Sequence, residues 1–102
     1  MKFIVIYITH AGMKEAKRVA EALLRDKLIA CANYLSIESA YWWKGEITNA
    51  KEIVSIVKTR KSNWAKVKKA VETMHPYKTP CIMKFEVEAN KSYTDWIKDE
   101  TR

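Results

Sequence analysis

The run Phe3-Ile4-Val5-Ile6-Tyr7-Ile8-Thr9 constrains this chain more than any other stretch. It is short and rich in β-branched residues, which marks a strand rather than a helix. Successive strand side chains point to opposite faces. Phe3, Val5 and Tyr7 therefore face one way, and Ile4, Ile6 and Ile8 the other. Both faces are apolar, so the strand belongs inside a sheet that is covered on both sides. The segment around Glu52–Thr59 repeats the pattern, with Ile53, Ser55 and Val57 against Val54 and Ile56. The last strand-like segment does alternate, setting Met83, Phe85 and Val87 against Lys84, Glu86 and Glu88, as an edge strand does.

The segments between these strands supply the rest of a fold. Met13 to Lys27 places Ala16, Val19, Ala20, Leu23 and Leu24 at helical spacing. Gly12 stands at its cap and Glu15 in its first turn. Leu28 to Trp43 reads as a long extended segment, Lys44-Gly45 as a turn, and Glu46 to Thr59 as the returning strand of a hairpin. Ser62 is expected to cap a second helix with the face Trp64, Val67, Val71 and Met74. Pro76 and Pro80 end that helix and bracket a bend before a strand over Cys81–Val87. Ser92, with Asp95 three residues on, is expected to open a short final helix bearing Tyr93, Trp96 and Ile97.

The order β-α-β-β-α-β plus a C-terminal helix is the ferredoxin-like α+β arrangement. Its four-stranded antiparallel sheet runs 4-1-3-2 with both long helices on one face. The whole chain, 1–102, reads as a single domain. The helices then leave the second apolar face of the central strands open. The final helix is short for covering four strands, so the expected cover is another copy of the chain. Tyr41, Trp42 and Trp43 sharpen this expectation. Trp42 and Trp43 are neighbours on one strand and need dry surroundings on opposite faces, so one is expected in the core of its own subunit and the other against a neighbouring subunit.

Composition narrows the function. No apolar run is long enough to cross a membrane, and the N-terminal segment lacks the small-residue cleavage site of a secretory leader. A soluble, cytoplasmic protein is expected. The formal charge of +7 invites an anionic partner, yet the lysines are spread along the chain rather than gathered in one tract. Cys31 and Cys81 lie fifty residues apart with no C-x-x-C spacing, which suits two separate thiols better than a zinc finger.

Several stretches fall in an order that resembles the CutA family of divalent-cation tolerance proteins: Cys31-Ala-Asn33, Tyr41-Trp-Trp-Lys-Gly-Glu-Ile47, Lys58-Thr59, His75-Pro-Tyr-Lys-Thr-Pro80 and Tyr93-Thr-Asp-Trp-Ile97. The resemblance spans almost the whole chain. It implies a ferredoxin-like fold, a tight homotrimer similar to the PII signalling proteins, no catalysis, a cytoplasmic setting in microbes, and a link to copper and other divalent cations.

Three segments are expected at one end of the sheet: the exit of strand 1 at Thr9-His10, the Lys44-Gly45 turn, and the helix-2 exit from Met74 to Pro80. His75, His10, Cys81 and Met74 thereby become candidate metal ligands, since imidazole, thiolate and thioether suit copper(II) or zinc. No cofactor is obligatory. In copper-binding members that the chain resembles, a cysteine can end strand 1 and two histidines can follow helix 2; here those places hold Ile8 and Met74-His75. A helix-end role favoured by the macrodipole competes for His75, and an exposed-loop role for His10. Lys58, Tyr77, Lys78 and Lys44 form a second candidate set, a cleft between subunits that could hold an anion or nucleotide. With Gly12 and Gly45 the only glycines, no phosphate-cradling loop is present.

Two other classes fit less well. RNA-binding ferredoxin-like sheets expose aromatics on their open face, but the aromatic RNP1 pattern is missing here. Enzymatic acid–base work needs a positioned base with a partner, and no nucleophile–His–carboxylate set stands out.

Overall fold

The computed structural model describes residues 2–102. Strand β1 is Lys2–His10, helix α1 Met13–Arg25, β2 Cys31–Trp43, β3 Glu46–Thr59, α2 Trp64–Met74, β4 Ile82–Glu88 and α3 Lys91–Asp99. One antiparallel sheet runs β2-β3-β1-β4, which is the expected order. In the β1–β3 ladder Ile4 stands opposite Thr59, Ile6 opposite Val57 and Ile8 opposite Ser55. Residues directly opposite share a face, and this is the face that the long helices cover. Ile4, Ile6, Ile8 and Val57 meet Val19 and Leu23 of α1 and Val67 and Val71 of α2 in one core.

The helix ends carry the local logic. Helix α1 closes with Leu28 N–H donating to the Leu23 carbonyl and Lys27 N–H to that of Leu24, a Schellman arrangement. It puts Lys27 at φ 56°, where glycine is the usual occupant. Helix α2 departs from expectation. A 3-10 turn over Lys61–Asn63 precedes it, and Asn63 rather than Ser62 holds the cap position. The Asn63 amide donates to the Leu28 carbonyl and to Thr59 Oγ1 rather than accepting from the helix. Helix α3 likewise starts at Lys91 after Asn90, so Ser92 is not its cap. Asp95 pairs with Lys91 one turn back instead of closing a capping box. Cys81 falls just outside β4.

The opposite sheet face is apolar, and β4 adds to it. Met83, Phe85 and Val87 stand opposite Tyr7, Val5 and Phe3. The charged side of β4 lies on the helix side, where Lys84 reaches over Trp64 and Glu86 pairs with Lys61. Helix α3 covers one corner of the open face, with Tyr93 edge-on to Phe3 at 5.9 Å. Beyond that corner, Leu35, Met83 and Phe85 remain exposed, Phe85 by 51 %.

The hairpin overshoots the body. Strand β1 ends with His10 opposite Ile53, whereas β2 and β3 stay paired for seven further rungs, from Ile37–Glu52 to Trp43–Glu46. At about 3.3 Å per residue this arm projects roughly 23 Å. It accounts for the elongated shape, 45 × 24 × 21 Å. The arm turns through Lys44 at φ 50° and Gly45 at φ 79°. Two successive positive φ angles make the type I′ turn that matches strand twist.

Candidate functional site

The end of β1 and the exit of α2 do come together. The His10 and His75 rings stack with centroids 5.3 Å apart and planes 18° off parallel. His10 is 0 % exposed. It occupies the helix-side face of β1, where the alternation that buries Ile4, Ile6 and Ile8 also buries it. Its Nε2 lies 2.8 Å from Ser55 Oγ on the adjacent strand. Its Nδ1 is the one buried side-chain polar atom among the described residues without a hydrogen-bond partner. Burial, and then the neighbouring His75, hold the His10 pKa down at about 4.

His75 is fixed by two opposed hydrogen bonds. Its Nε2 is 2.7 Å from the Thr9 carbonyl, which can only accept, so Nε2 carries the proton. Nδ1 then accepts the Tyr77 N–H at 3.2 Å. Both bonds together require the neutral Nε2–H tautomer. The ring thus ties the end of α2 to the end of β1 and shapes the bend before Pro80. Tyr77 packs on His75 at 4.6 Å and donates its hydroxyl to Glu52 Oε2 on the arm at 3.2 Å. Burial, followed by the Glu52 charge, pushes the Tyr77 hydroxyl up to about 12. The same two causes, in the same order, raise the Cys81 thiol. Arg18 closes the cluster from α1, donating to the Met74 carbonyl at 2.9 Å and pairing with Glu15. That hydrogen bond from Arg18 lowers the Glu15 carboxyl.

The expected ligands are therefore only partly gathered. His10 and His75 are in contact, and Cys81 is near enough to feel the charge of Glu52. The Met74 side chain packs against the core instead, because it continues the buried face of Val67 and Val71. Among the described residues no three His, Cys, Asp or Glu side chains converge on one metal position. Both His75 nitrogens are occupied, and the free His10 nitrogen is sealed from solvent. In this closed arrangement one chain does not offer a divalent cation a ready cage.

The second candidate set is dispersed within the chain. Lys44 sits at the tip of the arm, seven rungs beyond β1, so the turn does not approach His75. Strand lengths decide this, since β1 stops where the hairpin continues. Lys58 lies toward the other end of the sheet, opposite Val5 and Cys31. Its Nζ donates to Tyr93 Oη at 3.2 Å and stands 5.4 Å over that ring. Cys31 Sγ is 3.7 Å from the same hydroxyl. Tyr77 and the exposed Lys78 share the bend. Tyr41, Trp42 and Trp43 are all exposed near the arm tip, Trp42 by 73 %, so neither tryptophan joins the core of its own chain, because the arm carries both beyond the helical layer. Trp42 stands opposite Ile47 on the face continuous with the helix side, and Tyr41 and Trp43 on the other.

Sequence reasoning missed Ser55 and Glu52 as site residues. Ser55 is the lone polar residue in the run Ile53–Val57, opposite Ile8 and diagonal to His10 on the same face, and that interruption was the available signal. Glu52 opens the apolar part of β3, and its sequence position gave no signal that it would meet Tyr77.

Comparison with known proteins bears on the whole chain. Residues 4–100 match the family model described as CutA1 divalent ion tolerance protein. The divalent-cation tolerance protein CutA of Archaeoglobus fulgidus is 47 % identical over 97 residues, covering 94 % of each chain. The protein of the same name from Pyrococcus horikoshii is 37 % identical over 100 residues, covering 97 % of this chain and 98 % of its own. The crystal structure of a point mutant of CutA1 from Pyrococcus horikoshii OT3 superposes with a TM-score of 0.95 at 37 % identity, over 97 % of this chain and 98 % of that one. A structure described as the periplasmic divalent cation tolerance protein CutA of Archaeoglobus fulgidus gives 0.92 at 44 % identity over 98 % of both chains. A rice relative is named chloroplastic, so these proteins are described from more than one compartment.

Proposed function

This chain belongs to the CutA1 divalent ion tolerance family, and from that premise we propose that it works as a non-enzymatic homotrimer that responds to divalent cations, copper(II) foremost. The observation that carries the assembly is the open sheet face, on which Leu35, Met83 and Phe85 lie exposed beside Val5 and Tyr7. An apolar surface of this extent on an extracted subunit is the mark of a contact with another chain. The projecting arm, with Trp42 and Ile47 on one side and Tyr41 and Trp43 on the other, is built to reach a neighbouring copy. Light scattering is expected to return three times the 11.9 kDa chain mass, with and without copper. Phe85→Glu should lower that mass by placing a charge in the contact; a monomeric native protein would end this reading.

The cation enters as cargo at the bend, not as a resident cofactor. His75 and Cys81 flank the bend 76–80, which Glu52 meets through the Tyr77 hydroxyl, and an imidazole and a thiol are ligands that copper and zinc accept. Reaching the His75 Nδ1 lone pair means displacing the Tyr77 N–H. Binding is therefore expected to be modest and to loosen the bend. Calorimetry at micromolar protein should register copper(II) binding that weakens at least about tenfold in His75→Ala, in line with the loss of one ligand or its support. No heat and no spectral change with the native protein would remove the metal role. In this reading the protein is cytoplasmic. Neither histidine is offered as a catalytic group in this reading, because the Thr9 carbonyl and Tyr77 N–H hold His75 in one tautomer and His10 is enclosed.

A further inference from the structure

The charge of this molecule is not spread as evenly in space as it is along the chain. Residues 13–25 and 61–74, which form the helical layer, hold eight lysines and arginines against three carboxylates. That layer carries +5 of the chain's formal +7. Helix α1 neutralises part of its share locally, through Arg18–Glu15 and Arg25–Glu21. Helix α2 does not. Lys66, Lys68 and Lys69 are exposed on its outer side, with no carboxylate partner among the described residues and only Glu72 interspersed. Lys84 joins them from β4, and Lys68 and Lys84 both hang over the Trp64 ring, at 5.7 and 5.3 Å. The patch looks away from the apolar sheet face, so covering that face leaves it open to solvent.

We propose that this lysine patch of α2 and β4 is a docking surface for the phosphate backbone of duplex nucleic acid. Its chemistry is that of ammonium groups on long stems without carboxylate partners among the described residues, two of them held over the Trp64 ring. Such a surface holds regularly spaced phosphates through counterion release and needs no base-reading motif. An anionic membrane suits it less. The outer side of α2 presents Ala65, Lys66, Lys68, Lys69, Glu72 and Thr73, with no large apolar side chain to enter a bilayer. The inference concerns the helical layer, goes beyond the cation-tolerance reading, and is independent of the bend at His75.

The test is fluorescence anisotropy of a labelled 20-base-pair DNA duplex titrated with the full-length protein between 50 and 200 mM salt. Binding is expected at 50 mM, with a log–log salt slope of about −3 to −4 for each engaged subunit, four lysines each displacing close to one counterion. Lys66→Glu with Lys69→Glu should weaken binding at least about tenfold and flatten the slope by about two. Lys91→Glu with Lys98→Glu makes the same change in net charge on α3 and should alter binding less than about twofold if the patch, and not overall charge, is responsible. Lys68→Gln with Lys84→Gln is the milder pair should the first variant fold poorly. No binding at 50 mM salt, equal weakening by the α2 and α3 pairs, or tighter binding to phosphatidylserine vesicles than to the duplex would each overturn the proposal.

Discussion

At the scale of single residues, His10 is expected to contribute to the acid sensitivity of the fold. Its folded pKa, about 4, lies below the ordinary 6.5, because burial and then His75 disfavour the charged ring. The unfolded chain therefore binds the proton more readily. The stability that the neutral ring contributes is whole above pH 6.5 and is lost as the pH falls from there through 4. The slope reaches about 1.4 kcal/mol per pH unit, and the total is on the order of 3 kcal/mol. Urea midpoints followed from pH 7 to pH 4 should fall more steeply for the native protein than for His10→Gln. Parallel limbs would show that His10 is not the group responsible. The meeting of His10 with His75 was legible in the sequence, because each ends an element that the topology brings to the same end. The Met74 assignment failed at this scale for a reason also present in the sequence. The spacing Trp64, Val67, Val71, Met74 marks a buried face, and a residue cannot both continue that face and turn toward a ligand. Orientation about the His75 ring was out of reach, since it depends on the path of the backbone through Thr9 and Tyr77.

At the scale of elements, alternation and helical spacing located all four strands and all three helices, and Gly12 caps α1 as expected, while the caps of α2 and α3 slipped by one and two residues. Ser62 and Asn63 are adjacent residues of similar capping preference, and Asn90 and Ser92 form a second such pair, two positions apart. Propensity cannot choose between them when the choice rests on what the side chain can reach. Asn63 is drawn inward by the Leu28 carbonyl and Thr59. The length of the hairpin segments already implies an arm that overreaches the domain, and the ladder supplies the amount, seven rungs past β1. The end of α1 allows a direct check of local strain. Lys27 adopts the left-handed region at φ 56° in a Schellman closure, a conformation that costs a side-chain-bearing residue about 1–2 kcal/mol. Lys27→Gly should raise stability by about 0.5–1 kcal/mol, the relief being partly offset by the freer unfolded chain. Thermal melts at fixed protein concentration measure this, and a lower midpoint would mean that the lysine stem contributes packing that the backbone argument leaves out.

At the scale of the whole molecule, an apolar sheet face and a cationic helical layer lie on opposite sides of one small body. The arm also has a consequence in time. Its strands are neighbours in sequence joined by a two-residue turn, so its ladder closes locally, on the microsecond scale of hairpins. The β1–β4 ladder must instead bring Ile8 and Ile82 together across most of the chain, and contacts of such sequence separation form late. In the proposed trimer, a newly made subunit would display Trp42, Trp43 and Ile47 before any neighbour is available to cover them. Refolding from urea should accordingly show a tryptophan fluorescence phase independent of protein concentration, followed by a slower one that accelerates with it. A single concentration-independent phase would mean that the arm is sheltered within its own chain. On the same proposal the chain between the two phases would be an intermediate with a sticky projection, so the yield of native protein should depend on how quickly subunits find one another, and crowded or overproducing conditions should favour tangled association over ordered assembly.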